Sequence, residues 1–312
     1  MSKKTMQAVQ VHEYGGPNVL KVGTVERPQP EADEVLVRIV YAAIIPLDFK
    51  IRNGWLQRVF PVTLPYIPGF YASGVVEEVG PSVTELAPGD RVFGTIRGAY
   101  AEYGVAKVPE LVKVPDNLAL KDAATIKAGA EAAWKALFTE GELQAGQTVL
   151  VHAAAGGVGQ FAVQLAKWKG ATVLATASAA NLDFVKSLGA DQVIDYTTTN
   201  FEDVAKEVDL VVDSVGGETE TRSWAVLRKG GIFVSLTQDP SQEDAQKHGV
   251  TAKFNTKFTS REDLEILTGL IAEGTITAEV DSVFPFDQAD QALEKSEARR
   301  GRGRILLNVS AV

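Results

Sequence analysis

The segment Val149-Leu150-Val151-His152-Ala153-Ala154-Ala155-Gly156-Gly157-Val158-Gly159 decides the fold. A short apolar run suited to a buried strand passes into small residues and then into the helical spacing of Val158–Lys169, which Gly170 closes. Against the pattern G-x-G-x-x-G, the three key positions hold Ala154, Gly156 and Gly159, so an alanine stands at the first. Small residues have a physical purpose here. They let the backbone approach a pyrophosphate, and the helix that follows offers free N–H groups and the positive end of its dipole. Tight strand–helix packing without a ligand is the competing reading. The chain downstream favours the nucleotide: a strand at Thr172–Ala177, a helix at Asn181–Leu188 closed by Gly189, then β signals at Val193–Tyr196, Val208–Ser214 and Gly231–Leu236. Strand and helix in alternation predict an α/β fold, a doubly wound parallel sheet with helices on both faces.

The end of the second strand bears on which dinucleotide is bound. Sites that prefer NAD place Asp or Glu about 20 residues past the glycines. Here Ala175-Thr176-Ala177-Ser178-Ala179-Ala180-Asn181 holds no acid before Asp183. Ser178 leaves room for a 2′-phosphate, so NADPH is favoured over NADH. The same serine also suits a cap of the next helix.

Upstream, the texture differs. Val35–Tyr41 and Gly74–Gly80 read as short strands, with turns at Gly15-Gly16-Pro17 and Ala87-Pro88-Gly89-Asp90. Many short strands broken by turn residues predict an irregular barrel. Helical spacing begins at Leu120–Phe138; a last helix near Arg261–Glu273 precedes β character at Arg304–Val309. The expected division is 1–122, 123–258 and 259–312.

Composition narrows the class. The 312 residues carry a net charge of −9, with 45% hydrophobic and 23% charged residues, as in an ordinary globular protein. No basic block suggests a nucleic-acid or anionic-membrane surface. Cysteine is absent, which removes disulfides, thiolate nucleophiles and cysteine-ligated metals. His12, His152 and His248 are far apart, so no metal site is expected. No apolar core of a signal peptide follows Lys3-Lys4, and the uncharged run between Glu142 and Lys167 is interrupted by Gln144, Gln147, Gln160 and Gln164. A cytoplasmic protein without membrane spans is expected.

Further motifs join the glycine-rich turn: His12-Glu13-Tyr14-Gly15-Gly16, Pro46-Leu47-Asp48-Phe49-Lys50, Pro68-Gly69, Gly89-Asp90-Arg91-Val92-Phe93-Gly94, Leu188-Gly189-Ala190-Asp191, Ile194-Asp195-Tyr196 and Asp213-Ser214-Val215-Gly216-Gly217. Together they resemble the zinc-independent quinone oxidoreductase and enone reductase branch of the medium-chain dehydrogenase/reductase superfamily over nearly the whole chain. The resemblance implies a GroES-like barrel domain, a Rossmann NADPH-binding domain and a C-terminal return to the first, with the active site in the cleft between domains. It implies hydride transfer from NADPH to a quinone or an α,β-unsaturated carbonyl, by a homodimer. It places Ala155, Gly156, Gly157 and Val158 against the pyrophosphate, and Ser178 and Tyr196 near the 2′-phosphate and adenosine ribose. Val215 and Gly216 would skirt the ribose and adenine, and Leu236 and Asn255 would approach the nicotinamide. For Tyr196, a half-buried aromatic at a strand end is the equal alternative.

The chain departs from the family where the family builds its active site. Ile45 stands in place of an Asn, Tyr71 in place of an Asp, and Ala180-Asn181 in place of a basic side chain. In Thr125-Ile126-Lys127-Ala128-Gly129-Ala130-Glu131-Ala132-Ala133-Trp134, Ala132 replaces a Thr, and Lys127 and Glu131 introduce two charges four residues apart. Either they form a solvated ion pair on one helix face, or they line the cleft, with Lys257 as a possible third charge. Tyr41, Tyr66 and Tyr71 are candidate proton donors, and Asp48 is expected to cap the helix that begins at Phe49. Two alternatives to the reductase stay open: an NADPH-binding protein with little turnover, and a remodelled cleft using Lys127 and Glu131 for another reaction.

Overall fold

The computed structural model describes residues 4–257, 259–299 and 301–310. The chain forms two compact units, Met1–Ala128 with Val280–Val312, and Gly129–Glu279.

In the first unit, β1 (Thr5–Val11) and β2 (Leu20–Glu26) pair as an antiparallel ribbon. A larger sheet is built on β3 (Glu34–Ile44), with β4 (Tyr71–Val79), β5 (Arg91–Thr95), β6 (Tyr103–Lys107) and β7 (Leu111–Lys113). Val35, Leu36, Val37 and Ile39 of β3 are all buried, so side chains on both of its faces enter a core, as the β-branched run requires.

The second unit holds β8 (Thr148–Val151), β9 (Thr172–Ala177), β10 (Gln192–Asp195), β11 (Val208–Asp213), β12 (Leu227–Ser235) and β13 (Thr251–Phe254). All pair in parallel, in the order β10-β9-β8-β11-β12-β13. Numbered from β8, that is the dinucleotide-binding order 3-2-1-4-5-6, which reverses direction between β8 and β11. The chain then returns to the first unit through β14 (Val280–Pro285) and β15 (Arg304–Asn308), which extend the sheet beside β3.

The division falls after residues 128 and 279, whereas the sequence suggests breaks after 122 and 258. The helix Arg261–Ala272 therefore stays with the parallel sheet. Two buried glutamines explain why. Gln160 accepts the N–H of Glu279 (2.7 Å) and donates to its carbonyl (2.9 Å), and Gln164 does the same for Thr277 (2.8 and 2.9 Å). Each amide imitates a strand neighbour, so the segment after the helix is satisfied as if it lay in a sheet. A second difference concerns the helix expected over Leu120–Phe138. It is α-helical at Leu120–Thr125 and Glu131–Trp134 but π-helical at Ile126–Ala130 and Lys135–Glu140. The 3.6-residue spacing is thus interrupted twice.

Both units bury polar groups with dedicated partners. In the first, the helix Pro46–Arg52 puts a fully buried Arg52 against Glu297 (2.8 Å) and the Gly15 carbonyl (3.0 Å). In the second, His152 lies between Thr176 (3.1 Å from Nδ1) and Ser223 (3.0 Å from Nε2). Ser223 donates its own proton to the Thr219 carbonyl, so it accepts from Nε2–H, and Nδ1 accepts from Thr176.

Glu297→Ala leaves the Arg52 guanidinium buried without a counter-charge and lowers unfolding free energy by about 3 kcal/mol, read by urea denaturation. Burial, with the Arg222 charge adding to it, depresses the His152 pKa from 6.5 to about 3. The unfolded chain then binds a proton that the native state refuses between those values, so stability falls as pH drops from 6.5 toward 3. His152→Leu removes that part of the slope; identical pH profiles for the two proteins would show His152 to be charged or exposed.

Candidate active site

The residues expected to hold a dinucleotide lie in the second unit at the C-terminal ends of its parallel strands. The strand β8 is followed by Ala155–Val158, β9 by Ser178, β10 by Tyr196, β11 by Val215 and Gly216, β12 by Leu236 and β13 by Asn255. Side chains and amides from six strands thus share one edge of the sheet, where open α/β folds bind ligands.

The turn after β8 is shaped by close approach. Ala153 has φ +51°, an uncommon left-handed conformation for a residue with a Cβ, and the Thr176 carbonyl accepts the Ala154 amide (3.0 Å). A Cβ on Gly159 would lie 2.3 Å from the Ala153 carbonyl oxygen, so only glycine fits. The helix Gly159–Trp168 begins with no side-chain cap, and the amides of Val158 and Gly159 donate to no described residue. Free donors at the positive end of a helix suit a pyrophosphate. Gly129 presses on the same turn, since a Cβ there would meet the Gly157 carbonyl oxygen at 2.3 Å.

At the end of β9, Ser178 does not cap the following turn; its hydroxyl accepts from the Asn181 side chain (3.3 Å). Tyr196 is 59% exposed, so it is not the half-buried aromatic of the alternative reading. Beyond β11, Asp213 holds the turn. Its carboxylate accepts the amides of Val215 (2.8 Å) and Gly216 (3.1 Å), while burial raises its pKa. In the sequence Asp213 stands out only as part of a motif, although an acid two residues before a Val-Gly-Gly turn is the signal for this loop. Leu236 continues from β12, with its amide on the Asp213 carbonyl (2.8 Å). Asn255 donates to the Ala132 carbonyl (3.0 Å), and its Oδ1 is buried without a partner. That orphaned acceptor suits an amide N–H of a ligand. Lys257 pairs with the buried Glu140 (3.3 Å) and the Thr139 carbonyl (3.0 Å), which accounts for its charge within the unit.

In the first unit, Ile45, Ala43, Ala124, Ala128 and Leu306 form an apolar cluster against which Tyr41 and Tyr71 pack. Arg304 is buried beside it, donating to the carbonyls of Ile44 (3.2 Å) and Ala128. Lys127 is half-buried on the π-helical turn, and Glu131, the first residue after it, is 7% exposed. Burial of Glu131 does not match a solvated pair on an open helix face. Asp48 is 1% exposed. The helix begins at Pro46 and not at Phe49, so Asp48 lies within its first turn and is not the residue before it; its Oδ2 accepts the amide of Ile45, the N-cap (2.8 Å), and also the hydroxyl of Tyr100 (2.8 Å). Burial raises the Asp48 pKa to about 7. Among the described residues, no group of three or more His, Cys, Asp or Glu is placed to hold a metal ion, and no helix is long and apolar enough to cross a membrane.

Comparison with known proteins agrees with this architecture. Residues 31–116 match the alcohol dehydrogenase GroES-like domain, and residues 188–307 match the family described as zinc-binding dehydrogenase. The chain is 34% identical to 2-methylene-furan-3-one reductase of Solanum lycopersicum, over 97% of this chain and 79% of that protein. Its structure superposes on the quinone oxidoreductase from Coxiella burnetii with a TM-score of 0.91 at 33% identity, covering 98% of this chain and 100% of that one. With Escherichia coli quinone oxidoreductase complexed with NADPH the TM-score is 0.90 at 28% identity, covering 97% and 99%. The chain belongs to the medium-chain dehydrogenase/reductase superfamily, among its quinone and enone oxidoreductases.

Proposed function

We propose that this protein reduces quinones and α,β-unsaturated carbonyl compounds with NADPH, as a cytoplasmic homodimer. The observation that carries this reading is the uncapped helix start at Val158-Gly159, set at the point where the strand order reverses. The relatives support the chemistry: one reduces a 2-methylene-furan-3-one, itself an enone, and another is a quinone oxidoreductase complexed with NADPH.

The fit of the cofactor rests on this chain's own groups. Free amides at Val158 and Gly159 receive the pyrophosphate. Ser178, with no carboxylate beside it, admits a 2′-phosphate, and the exposed ring of Tyr196 stands at the next strand end. The unpartnered Oδ1 of Asn255 accepts from the nicotinamide carboxamide. When bound, NADPH supplies a hydride from its nicotinamide ring. For an activated acceptor the protein's task is then to orient the acceptor and to stabilise charge on its oxygen.

Consumption of NADPH with 1,4-benzoquinone, 9,10-phenanthrenequinone or a small enone, above the enzyme-free rate, tests the reading; binding of NADPH without consumption with any acceptor overturns it. Gly156→Asp sets a carboxylate against the pyrophosphate and abolishes NADPH binding in a fluorescence titration. Ser178→Asp places an acid at the adenosine ribose and shifts the preference toward NADH by about tenfold or more, read as the ratio of kcat/KM for the two cofactors.

A further inference from the structure

In the second unit, the chain from Gly129 to Gly141 braces two parts of the sheet edge where the dinucleotide residues gather. At one end, Gly129 lies against the turn after β8, where a Cβ would meet the Gly157 carbonyl oxygen at 2.3 Å. At the other end, a Cβ on Gly141 would be 2.7 Å from Cδ2 of Leu210, on β11. From this stretch and Glu142 beyond it, three side-chain ties run to the end of β13. Asn255 donates to the Ala132 carbonyl (3.0 Å). Lys253 donates to the Glu140 carbonyl (2.6 Å) and pairs with Glu142 (2.7 Å). Lys257 donates its amide to Oε1 of Glu140 (3.2 Å) and holds its ammonium 3.3 Å from Oε2.

The last tie is the most demanding. The Glu140 side chain is 4% exposed, and among the described residues Lys257 supplies the one cation within ion-pair distance of it. A buried carboxylate stripped of its cation is strongly unfavourable, so residue 257 is drawn to Glu140. The segment drawn with it has little else to hold it. β13 ends at Phe254, and beyond it the amides of Asn255 and Thr256 have one backbone partner each, the carbonyls of Ser235 (2.9 Å) and Phe254 (2.8 Å). The Lys257 ammonium also covers the Thr139 carbonyl (3.0 Å), at the end of the π-helical turn where carbonyls lack donors from their own helix.

We propose that Glu140 is a positioning residue for the nicotinamide half of NADPH, acting through Lys257 to hold residues 255–257 as a wall at the end of β13. The direction of the cofactor across the sheet follows from the strand order. Ser178 and Tyr196, at the ends of β9 and β10, take the adenosine side of a pyrophosphate seated after β8. The other half of the dinucleotide then runs over β11, β12 and β13, beyond the point where the strand order reverses. Being buried, Glu140 acts on the cofactor only through the wall. A wall ordered before the cofactor arrives removes that ordering cost from binding. The assignment to the nicotinamide half rests on the NADPH reading; the clamp on residue 257 does not.

Calorimetric titration compares NADPH with 2′-phospho-ADP-ribose, which is NADPH without its nicotinamide. Glu140→Gln frees Lys257 to turn toward water, so the wall must be ordered again on binding. NADPH affinity then falls about tenfold, and affinity for the fragment is unchanged. Lys257→Met leaves the Glu140 carboxylate buried without a cation, so it weakens NADPH and also lowers the thermal midpoint of the protein without ligand. Adding Glu140→Gln to Lys257→Met restores that midpoint but not the NADPH affinity, which separates positioning from stability. Three results overturn the proposal: wild-type NADPH affinity in Glu140→Gln, equal losses for NADPH and fragment in that variant, or NADPH affinity that recovers with the midpoint in the double variant. NADPH-dependent quinone reduction by the wild-type protein is measured alongside. Turnover with an unaffected Glu140→Gln discards the role of Glu140 and leaves the reductase reading intact. The expected affinity pattern without turnover discards the reductase reading and leaves Glu140 positioning a bound nicotinamide. Wild-type protein that binds neither compound discards both.

Discussion

The helix Gly159–Trp168 approaches the turn after β8 so closely that a Cβ on residue 159 would lie 2.3 Å from the Ala153 carbonyl oxygen and 2.6 Å from the Ala154 Cα. Several otherwise unrelated features follow from that approach. The chain must reverse within a few residues, which puts Ala153 in a left-handed conformation. The strained turn is held from the side by Thr176, whose carbonyl and hydroxyl accept the amides of Ala154 and Ala153. Thr176 is in turn fixed by His152, a neutral imidazole between it and Ser223. The start of the helix is thereby aimed at the sheet edge with its amides unspent, and the other strand ends gather around it.

The two units use buried polar groups differently. In the second, His152, Gln160, Gln164 and Asp213 have hydroxyl or amide partners matched to their donors and acceptors, while Asn255 keeps one unpartnered acceptor. These interactions fix where loops lie more than they add stability, since folding exchanges them for equivalent bonds to water. The first unit buries guanidinium groups. Arg52 and Arg304 are both nearly or fully inaccessible, yet Arg52 pairs with a carboxylate while Arg304 donates to two carbonyls. Carbonyl dipoles offset desolvation only in part, which is why the Arg304 pKa is lowered to about 10.

Much of the parallel sheet was legible in the sequence. Thr172–Ala177 is read with the bounds that the structure has, from a short apolar run that follows the Gly170 closing the preceding helix, because a strand between two packed helices carries its pattern locally. The start of β12 at Leu227 was hidden: Arg228-Lys229-Gly230-Gly231 reads as a turn, and the register shift between Val208 and Leu210 absorbs those residues into the ladder. The end of the second unit was hidden for another reason, since the glutamine amides and the backbone they hold are more than a hundred residues apart. Of the strand-end residues, Ser178 is marked by its spacing from the glycine-rich turn and the others only by the family resemblance; that they share one edge follows from the parallel strand order. The surroundings of Asp48 could not be read, as Tyr100 comes from the loop between β5 and β6 and the charge of Arg304 from β15, both distant in sequence.

The two wide turns between Leu120 and Glu140 also change where side chains point. A π-helical turn holds one residue more than the α-helical turn it replaces. Each extra residue rotates everything beyond it by about 100° around the helix axis. Side chains beyond each wide turn therefore point about 100° away from where an unbroken α-helix would carry them, and Lys127 and Glu131 lie at the first such turn. Two proteins with the same letters at these positions would present them to different neighbours if one lacked the extra residue.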